Sequence, residues 1–350
     1  MGKLKMFSFS LINKNRKFLF GIATLWIAWF HSYDLIFSVN EKITFMNLGN
    51  LLSWILYIGN CGVDIFLLLS GAGLYFSFSK NPDLPSFWRK RLLRVLPSSV
   101  IATFIISCFI RSSNIWIFLA RISFLDFYLC KTQAPIFWYV SAILLFYLLF
   151  PLFYRIIEKY RCLGLTLIIV ISVIITMIVF FAFPEMFNRW EALLARIPVF
   201  ATGIVLGQVI EKNIKISNIK VLLICLIGVI YFFGMMITIN ALPEEFLFFR
   251  HYLYLPFSVL LVIIIPFVRS HIEVAFIVKP LEFLGIYSLQ VYLIHPNIYE
   301  IMYGRFRFFV DHPLCYAFIV FIVSLFFAIV LKYVVDHFSL KSMIGHNRTK

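Results

Sequence analysis

The chain has 350 residues, of which 62% are hydrophobic and only 13% are charged, and its mean hydropathy is +0.96. This balance excludes a soluble globular protein and predicts a polytopic membrane protein. The formal net charge of +15 would suggest nucleic acid in a soluble protein, but in a membrane protein the basic residues first report orientation.

Windows of about twenty apolar residues predict ten transmembrane helices, because only a hydrogen-bonded helix satisfies its own backbone in hydrocarbon. In chain order, the predicted spans cover residues 18–37, 58–78, 92–110, 136–156, 163–183, 192–208, 221–239, 252–268, 281–301 and 315–335. The apolar segment 114–129 is interrupted by Arg121 and Asp126, so we expect a short helix that lies at the interface or dips back in. The predicted fold class is an all-α membrane helical bundle, with residues 1–350 forming one domain.

Lysine and arginine predict the orientation, since short cytoplasmic loops carry most of them. With the N terminus inside, most of the 31 basic residues fall in cytoplasmic segments, and the densest group is the run 87–94. An even number of spans then places both termini in the cytoplasm. The positive charge is therefore explained by orientation in a lipid bilayer, and no nucleic-acid partner is expected.

One ionisable side chain, His31, lies in the first predicted span. Burying such a group in a bilayer costs about 2 kcal/mol or more, so these residues usually face a bundle interior or a wet cavity. Asp34 follows on the same helix face and could hold a neutral, oriented imidazole that accepts a proton. The alternative is a buried histidine that makes one interhelical hydrogen bond, with Asp34 at the membrane surface.

Other polar residues are predicted to lie in the outer half of the membrane, as His31 is. They come from four further spans and are Asp64, Trp138, Tyr139, Ser141, Arg196, Tyr292 and His295. Each has an ordinary explanation, such as an aromatic belt, a helix-end anchor or an interhelical hydrogen bond. Together they predict the wall of a cavity that opens outward.

On the cytoplasmic side, Arg91 and Arg94 are one helical turn apart and could grip a phosphate from one face. The alternative is that these side chains snorkel to lipid phosphates. The six cysteines have no paired or zinc-like spacing, so we expect neither a metal site nor a disulfide framework.

Six stretches together carry a resemblance to a known family. They are IATLWIAWFHS at 22–32, GNCGVDIFLLLSGAGLYFS at 59–77, FWRKRLLRVLP at 87–97, FWYVSAILLFYLLFPLF at 137–153, ARIPVFATGIVLG at 195–207 and LGIYSLQVYLIHP at 284–296. These stretches, in this order, resemble the acyltransferase 3 family of integral membrane acyltransferases, and the resemblance covers nearly the whole chain.

The resemblance implies about ten spans in a bacterial inner membrane. It also implies transfer of an acyl group from cytosolic acyl-CoA, most often acetyl-CoA, to a hydroxyl of an extracytoplasmic or lipid-linked glycan. The first-span histidine is regarded as catalytic in the family, which here is His31. The basic stretch that opens the third span is regarded as important for donor binding or activity, which here falls on Arg89, Arg91 and Arg94.

The sequence departs from the family pattern at two places. Family members usually carry an arginine eleven residues before the histidine, and that position is Phe20 here, although Arg16 or Lys17 could reach the same phosphate from one turn earlier. The family's Ser-Gly-Phe element reads SGA at 70–72, where Gly71 still permits close helix approach.

The chemistry expected of His31 is either general-base catalysis, with Asp34 or Asp64 fixing its tautomer, or covalent transfer of the acyl group. Acceptor-side candidates are Trp138, Tyr139, Arg196 and His295. Two other classes stay open: a secondary transporter with ten spans, and a catalytically inactive membrane sensor or scaffold of the same fold.

Overall fold

The computed structural model is a helical bundle, and it describes residues 6–36, 48–109, 114–129, 138–272, 274–305 and 313–347. Its helices in chain order are α1 Ser10–Lys14, α2 Arg16–Ile36, α3 Leu48–Tyr57, α4 Cys61–Lys80, α5 Leu84–Phe109, α6 Ile115–Ile122, α7 Asp126–Leu129, α8 Trp138–Tyr160, α9 Cys162–Ala182, α10 Pro184–Leu194, α11 Ile197–Glu211, α12 Asn218–Ala241, α13 Arg250–Arg269, α14 Ala275–Ile286, α15 Ser288–Arg305 and α16 Pro313–Asn347. Short 3₁₀ turns, Ile58–Asn60 and Glu244–Phe249, lead into α4 and α13.

Eight stretches of the described chain are helical, long enough and apolar enough to cross a membrane. They are Trp54–Lys80, Leu84–Cys108, Trp138–Tyr160, Cys162–Ala182, Pro184–Glu211, Asn218–Ala241, Glu244–Arg269 and Cys315–His337. Each overlaps one predicted span, while the first predicted span corresponds to α2 and the ninth to α14 with α15. The predicted fold class, an all-α membrane bundle, is confirmed.

The ninth predicted span is bent. Helices α14 and α15 meet at Tyr287 with a bend of 82°, so residues 281–301 do not form one straight helix. Before the bend, α14 packs closely against α2 at two glycines. A Cβ on Gly21 would lie 1.8 Å from the carbonyl oxygen of Leu281, and a Cβ on Gly285 would meet the backbone of α2. A hydropathy window measures apolar length, and this close backbone contact lies outside what it can detect.

Helices α4 and α11 form the most buried pair of the bundle. A Cβ on Gly71 would lie 2.6 Å from the carbonyl oxygen of Phe200, and one on Gly203 would lie 2.5 Å from that of Leu68. The expectation that Gly71 allows close helix approach is confirmed. By contrast, α9, α12 and α16 are mostly exposed, as helices that face lipid are.

A two-stranded antiparallel sheet was not predicted. Strand β1, Met6–Ser8, pairs with β2, Lys215–Ser217, with Phe7 opposite Ile216. The pairing holds the N-terminal segment and the connection after α11 on one face of the bundle, which agrees with an even number of spans between them. Strands of three residues, separated by most of the chain, have no sequence pattern long enough to recognise.

The predicted short helix within residues 114–129 is confirmed and is divided in two. Asn114 caps α6 by accepting a 2.8 Å hydrogen bond from the backbone N–H of Trp116. The chain turns at Phe124, which has a positive φ of 59°, and α7 follows. The hydroxyl of Tyr128 then donates to the carbonyl of Ser141, which ties α7 to the outer part of α8.

Candidate active site

A cavity lies between α2, α4, α5, α8 and α15 and encloses about 850 Å³ of empty space, its open mouth included. Three arginines, Arg16, Arg91 and Arg94, line one end of it. Ile27 and Tyr292 line the wall further along α2 and α15. The cavity therefore runs from the three arginines as far as Ile27, one helical turn before His31, which is not among the described residues that line it.

The end of the cavity that Arg16, Arg91 and Arg94 line is basic. Its described lining residues include three guanidinium groups and no carboxylate. Arg91 is partly buried, packs over the ring of Phe87 at 5.7 Å, and its Nε has no hydrogen-bond partner among the described residues. Like charges gathered in this way attract a multivalent anion, and planar guanidinium groups suit a phosphate.

Arg16 reaches the cavity from the start of α2. Its Nη2 donates a 3.0 Å hydrogen bond to the carbonyl of Leu69, and its guanidinium lies 5.3 Å from the ring of Phe20. Gly73 leaves the space that the guanidinium fills, since a Cβ there would lie 2.3 Å from Nη2. Of the two basic residues expected near the family's arginine position, Arg16 lines the cavity, whereas Lys17 is exposed.

Arg89 differs from the other two predicted donor residues. Arg89 and Arg94 are both exposed, but only Arg94 is among the described residues that line the cavity. Residues i and i+2 of an α-helix are about 200° apart around the helix axis, so Arg89 and Arg91 face nearly opposite directions. Arg91 and Arg94 are three residues apart and share a face. The structure thus brings two of the three residues of that prediction together.

Two tyrosines form the far wall of the cavity. The backbone N–H of Tyr139 donates to the hydroxyl of Tyr292 at 3.2 Å, and their rings lie 5.1 Å apart. Ser70, in the altered SGA element, lines the cavity together with Tyr139. The predicted acceptor-side residue Tyr139 is therefore part of the cavity wall.

His31 and His295 lie next to each other just beyond these tyrosines. Their ring centroids are 5.2 Å apart, with an angle of 50° between the ring planes. His31 is partly buried and His295 is 2% exposed. At 1.5 Å per residue, His31 lies about 22 Å along α2 from Arg16. The side chain of Asp34 lies outside the described residues, so its predicted role stays a prediction.

Asp64 makes an ion pair with Arg196. The Nε of Arg196 lies 3.1 Å from a carboxylate oxygen of Asp64, and both side chains are almost completely buried. The Arg196 guanidinium also lies 5.2 Å from the ring of Trp138 and donates to the carbonyl of Ala192. Three predicted site residues therefore form one cluster, in which Asp64 has Arg196 as its charge partner.

Sequence reasoning missed four polar residues near this cluster. His251 Nε2 lies 3.9 Å from a carboxylate oxygen of Glu191, and Nη1 of Arg250 donates to the hydroxyl of Tyr57 at 3.2 Å. They lie near helix ends, where charged residues usually meet water, so no spacing marked them as a set.

Comparison with known proteins identifies the family. A family model described as an acyltransferase domain matches residues 19–333, a range that begins just after Arg16 and contains the other residues of the site. No curated protein and no solved structure matched the chain. Because the match covers nearly all of its 350 residues, the chain belongs to the acyltransferase 3 family of multi-pass membrane acyltransferases.

Proposed function

We propose that this acyltransferase moves an acyl group, with acetyl as the first candidate, from cytosolic acyl-CoA to a hydroxyl of a cell-surface or lipid-linked glycan at a bacterial inner membrane. The observation that supports this proposal is the cavity that extends from three arginines to Tyr292, whose ring centroid lies 6.2 Å from that of His295, the neighbour of His31. A donor and an acceptor on opposite sides of a membrane need such a passage.

The inner arginines are the proposed donor site. Arg16, Arg91 and Arg94 offer guanidinium groups to the CoA phosphates, and the unpartnered Nε of Arg91 is a donor available for one of them. Between these arginines and His31 lies about 22 Å of α2, which requires a long, thin acyl carrier. Acyl-CoA supplies an activated thioester at the end of such an arm.

His31 is the proposed general base. Its imidazole accepts the proton of the acceptor hydroxyl while the hydroxyl oxygen bonds to the acyl carbon and the carbon–sulfur bond breaks. The proton then passes to the departing thiolate, so the products are an ester and free CoA. A covalent acyl-histidine would instead exchange labelled CoA into acyl-CoA without any acceptor, which provides a direct test between the two routes.

The cluster of Asp64, Arg196 and Trp138, together with Tyr139, is the proposed acceptor-binding site. Trp138 and Tyr139 offer aromatic faces of the kind that stack on sugar rings, and Arg196 holds the Trp138 ring in place by its cation–π contact. The ion pair with Asp64 fixes the direction of the guanidinium. These contacts support an acceptor that approaches the histidines from the outer side.

Membranes that contain the wild-type protein or His31→Ala, incubated with radiolabelled acetyl-CoA and a crude glycan fraction, test the proposal. We expect label in the glycan with wild type and a loss of about 100-fold or more with His31→Ala, because a positioned general base contributes about 10²–10⁴-fold. His271→Ala is the matched control, since His271 is exposed and outside the site. Near-normal labelling by His31→Ala would contradict the proposal.

The same assay separates the other classes. Label that enters sealed vesicles without appearing in an ester would indicate a transporter. A folded wild-type protein that neither transfers nor takes up label would indicate an inactive sensor or scaffold.

A further inference from the structure

The protonation of His295 can be deduced from its helix. Its Nδ1 lies 2.8 Å from the carbonyl oxygen of Val291, which is within hydrogen-bond distance. Carbonyl oxygens only accept hydrogen bonds, and Nδ1 therefore carries a hydrogen.

The other ring nitrogen of His295 is an unpaired acceptor. The ring is 2% exposed and is surrounded by the rings of His31, Tyr292 and Tyr299, an environment that favours a neutral imidazole. A neutral imidazole has one N–H, so Nε2 carries a lone pair. Nε2 is buried and has no hydrogen-bond partner among the described residues. A buried acceptor of this kind requires a donor.

The contact between α2 and α15 holds this acceptor beside His31. The hydroxyls of Ser32 and Tyr299 are hydrogen-bonded. Ser32 directly follows His31, and Tyr299 is one helical turn after His295. The hydroxyl of Tyr316 in turn donates to the carbonyl of Tyr299, which ties α15 to α16. A ring-centroid separation of 5.2 Å brings facing nitrogens within hydrogen-bond reach once the two rings turn into line.

We propose that His295 is a positioning residue for His31: its Nε2 accepts the N–H of His31 and leaves the other nitrogen of His31 unprotonated towards the acceptor hydroxyl. This inference rests on the proposed role of His31 as the base. The sequence predicted that His295 binds the acceptor, whereas this inference assigns it the role of orienting His31. It also provides the orienting group that Asp64, paired with Arg196, was expected to supply.

Two amides distinguish the nitrogens of His295. In His295→Gln, the amide oxygen reaches the position of Nε2 and can accept a hydrogen bond. In His295→Asn, the amide reaches only the position of Nδ1, so it keeps the bond to Val291 and offers no acceptor to His31. We expect the Asn variant to lower the maximal rate about 10- to 100-fold with little change in the acetyl-CoA concentration that gives half the maximal rate. The Gln variant should recover at least half of that loss on a logarithmic scale.

Glycan labelling at varied acetyl-CoA, together with thermal unfolding of the purified variants, measures both effects. His271→Asn and His271→Gln are the matched controls and should behave as wild type, since His271 is exposed and remote from the site. If His295→Asn does not accumulate as a folded protein, His295→Leu replaces it as the variant without an acceptor. Equal rates for the Gln variant and the variant without an acceptor would overturn the inference. Retained transfer by His31→Ala would instead overturn the proposed function, whatever the His295 variants show.

Discussion

Gly73→Ala tests whether Arg16 serves the donor site in place of the arginine that the family usually carries at the position of Phe20. The new Cβ would lie 2.3 Å and 2.5 Å from the two Nη atoms of Arg16 and 2.8 Å from its Cζ. Favourable carbon contacts lie at about 3.5–4.0 Å, so the guanidinium must retreat by more than about 1 Å. It then loses its 3.0 Å hydrogen bond to the carbonyl of Leu69 and its place in the cavity wall.

The expected size of the effect follows from the hydrogen bond that the displaced guanidinium no longer donates to a CoA phosphate. Hydrogen bonds that involve a charged group contribute about 1.5–3 kcal/mol, which corresponds to about a 10- to 100-fold rise in the KM for acyl-CoA. The fold should persist, because the displaced atoms are the flexible end of a side chain and alanine favours a helix over glycine by about 0.5–1 kcal/mol. The change is therefore mainly a binding defect, because the helix preference of alanine offsets part of the lost hydrogen bond to Leu69.

A double-mutant cycle on Gly73 and Arg16 provides the assay. Acetyl transfer at varied acetyl-CoA is measured for Gly73→Ala, Arg16→Ala and the double variant. If the alanine acts only by displacing the guanidinium, the double variant should be no worse than Arg16→Ala alone. Gly234→Ala is the matched control, since a Cβ on Gly234 meets nothing within 4 Å.

An unchanged KM in Gly73→Ala would refute the argument, because the displaced guanidinium would then have no part in donor binding. Fully additive losses in the double variant would refute it in another way, since they would mean that Gly73 acts through a different contact.

Two further predictions concern the arginines that line the cavity and the ion pair between Asp64 and Arg196. Arg91→Gln should raise the KM for acetyl-CoA about tenfold, whereas Arg89→Gln should leave it within about twofold because Arg89 faces away from the cavity; equal effects would argue against this placement. Asp64→Leu should destabilise the protein by about 3–5 kcal/mol in thermal unfolding, since it leaves the Arg196 guanidinium buried without its counter-charge. Joint replacement with Arg196→Met should recover much of that loss, and an unfolding temperature of Asp64→Leu equal to wild type would contradict the burial argument.

The amino-acid sequence determined the membrane class and the positions of the helices along the chain, and it singled out two groups of candidate site residues, one around His31 and one around Arg91. These are local properties, because apolar length sets a span and a lone ionisable residue such as His31 stands out against hydrocarbon. The pair Arg91 and Arg94 was equally visible, since their spacing alone places them on one helix face.

The tertiary structure alone decided which residues meet. Sequence spacing does not specify how a helix is rotated towards its neighbours, so only packing showed that Arg16 lines the cavity while Lys17 is exposed. Only the structure likewise showed the bend at Tyr287 and the glycine contacts between α14 and α2, a helix far away in the chain. The partner of Asp64 was equally hidden, because contacts between distant helices depend on the fit of their surfaces, which no single stretch of sequence encodes.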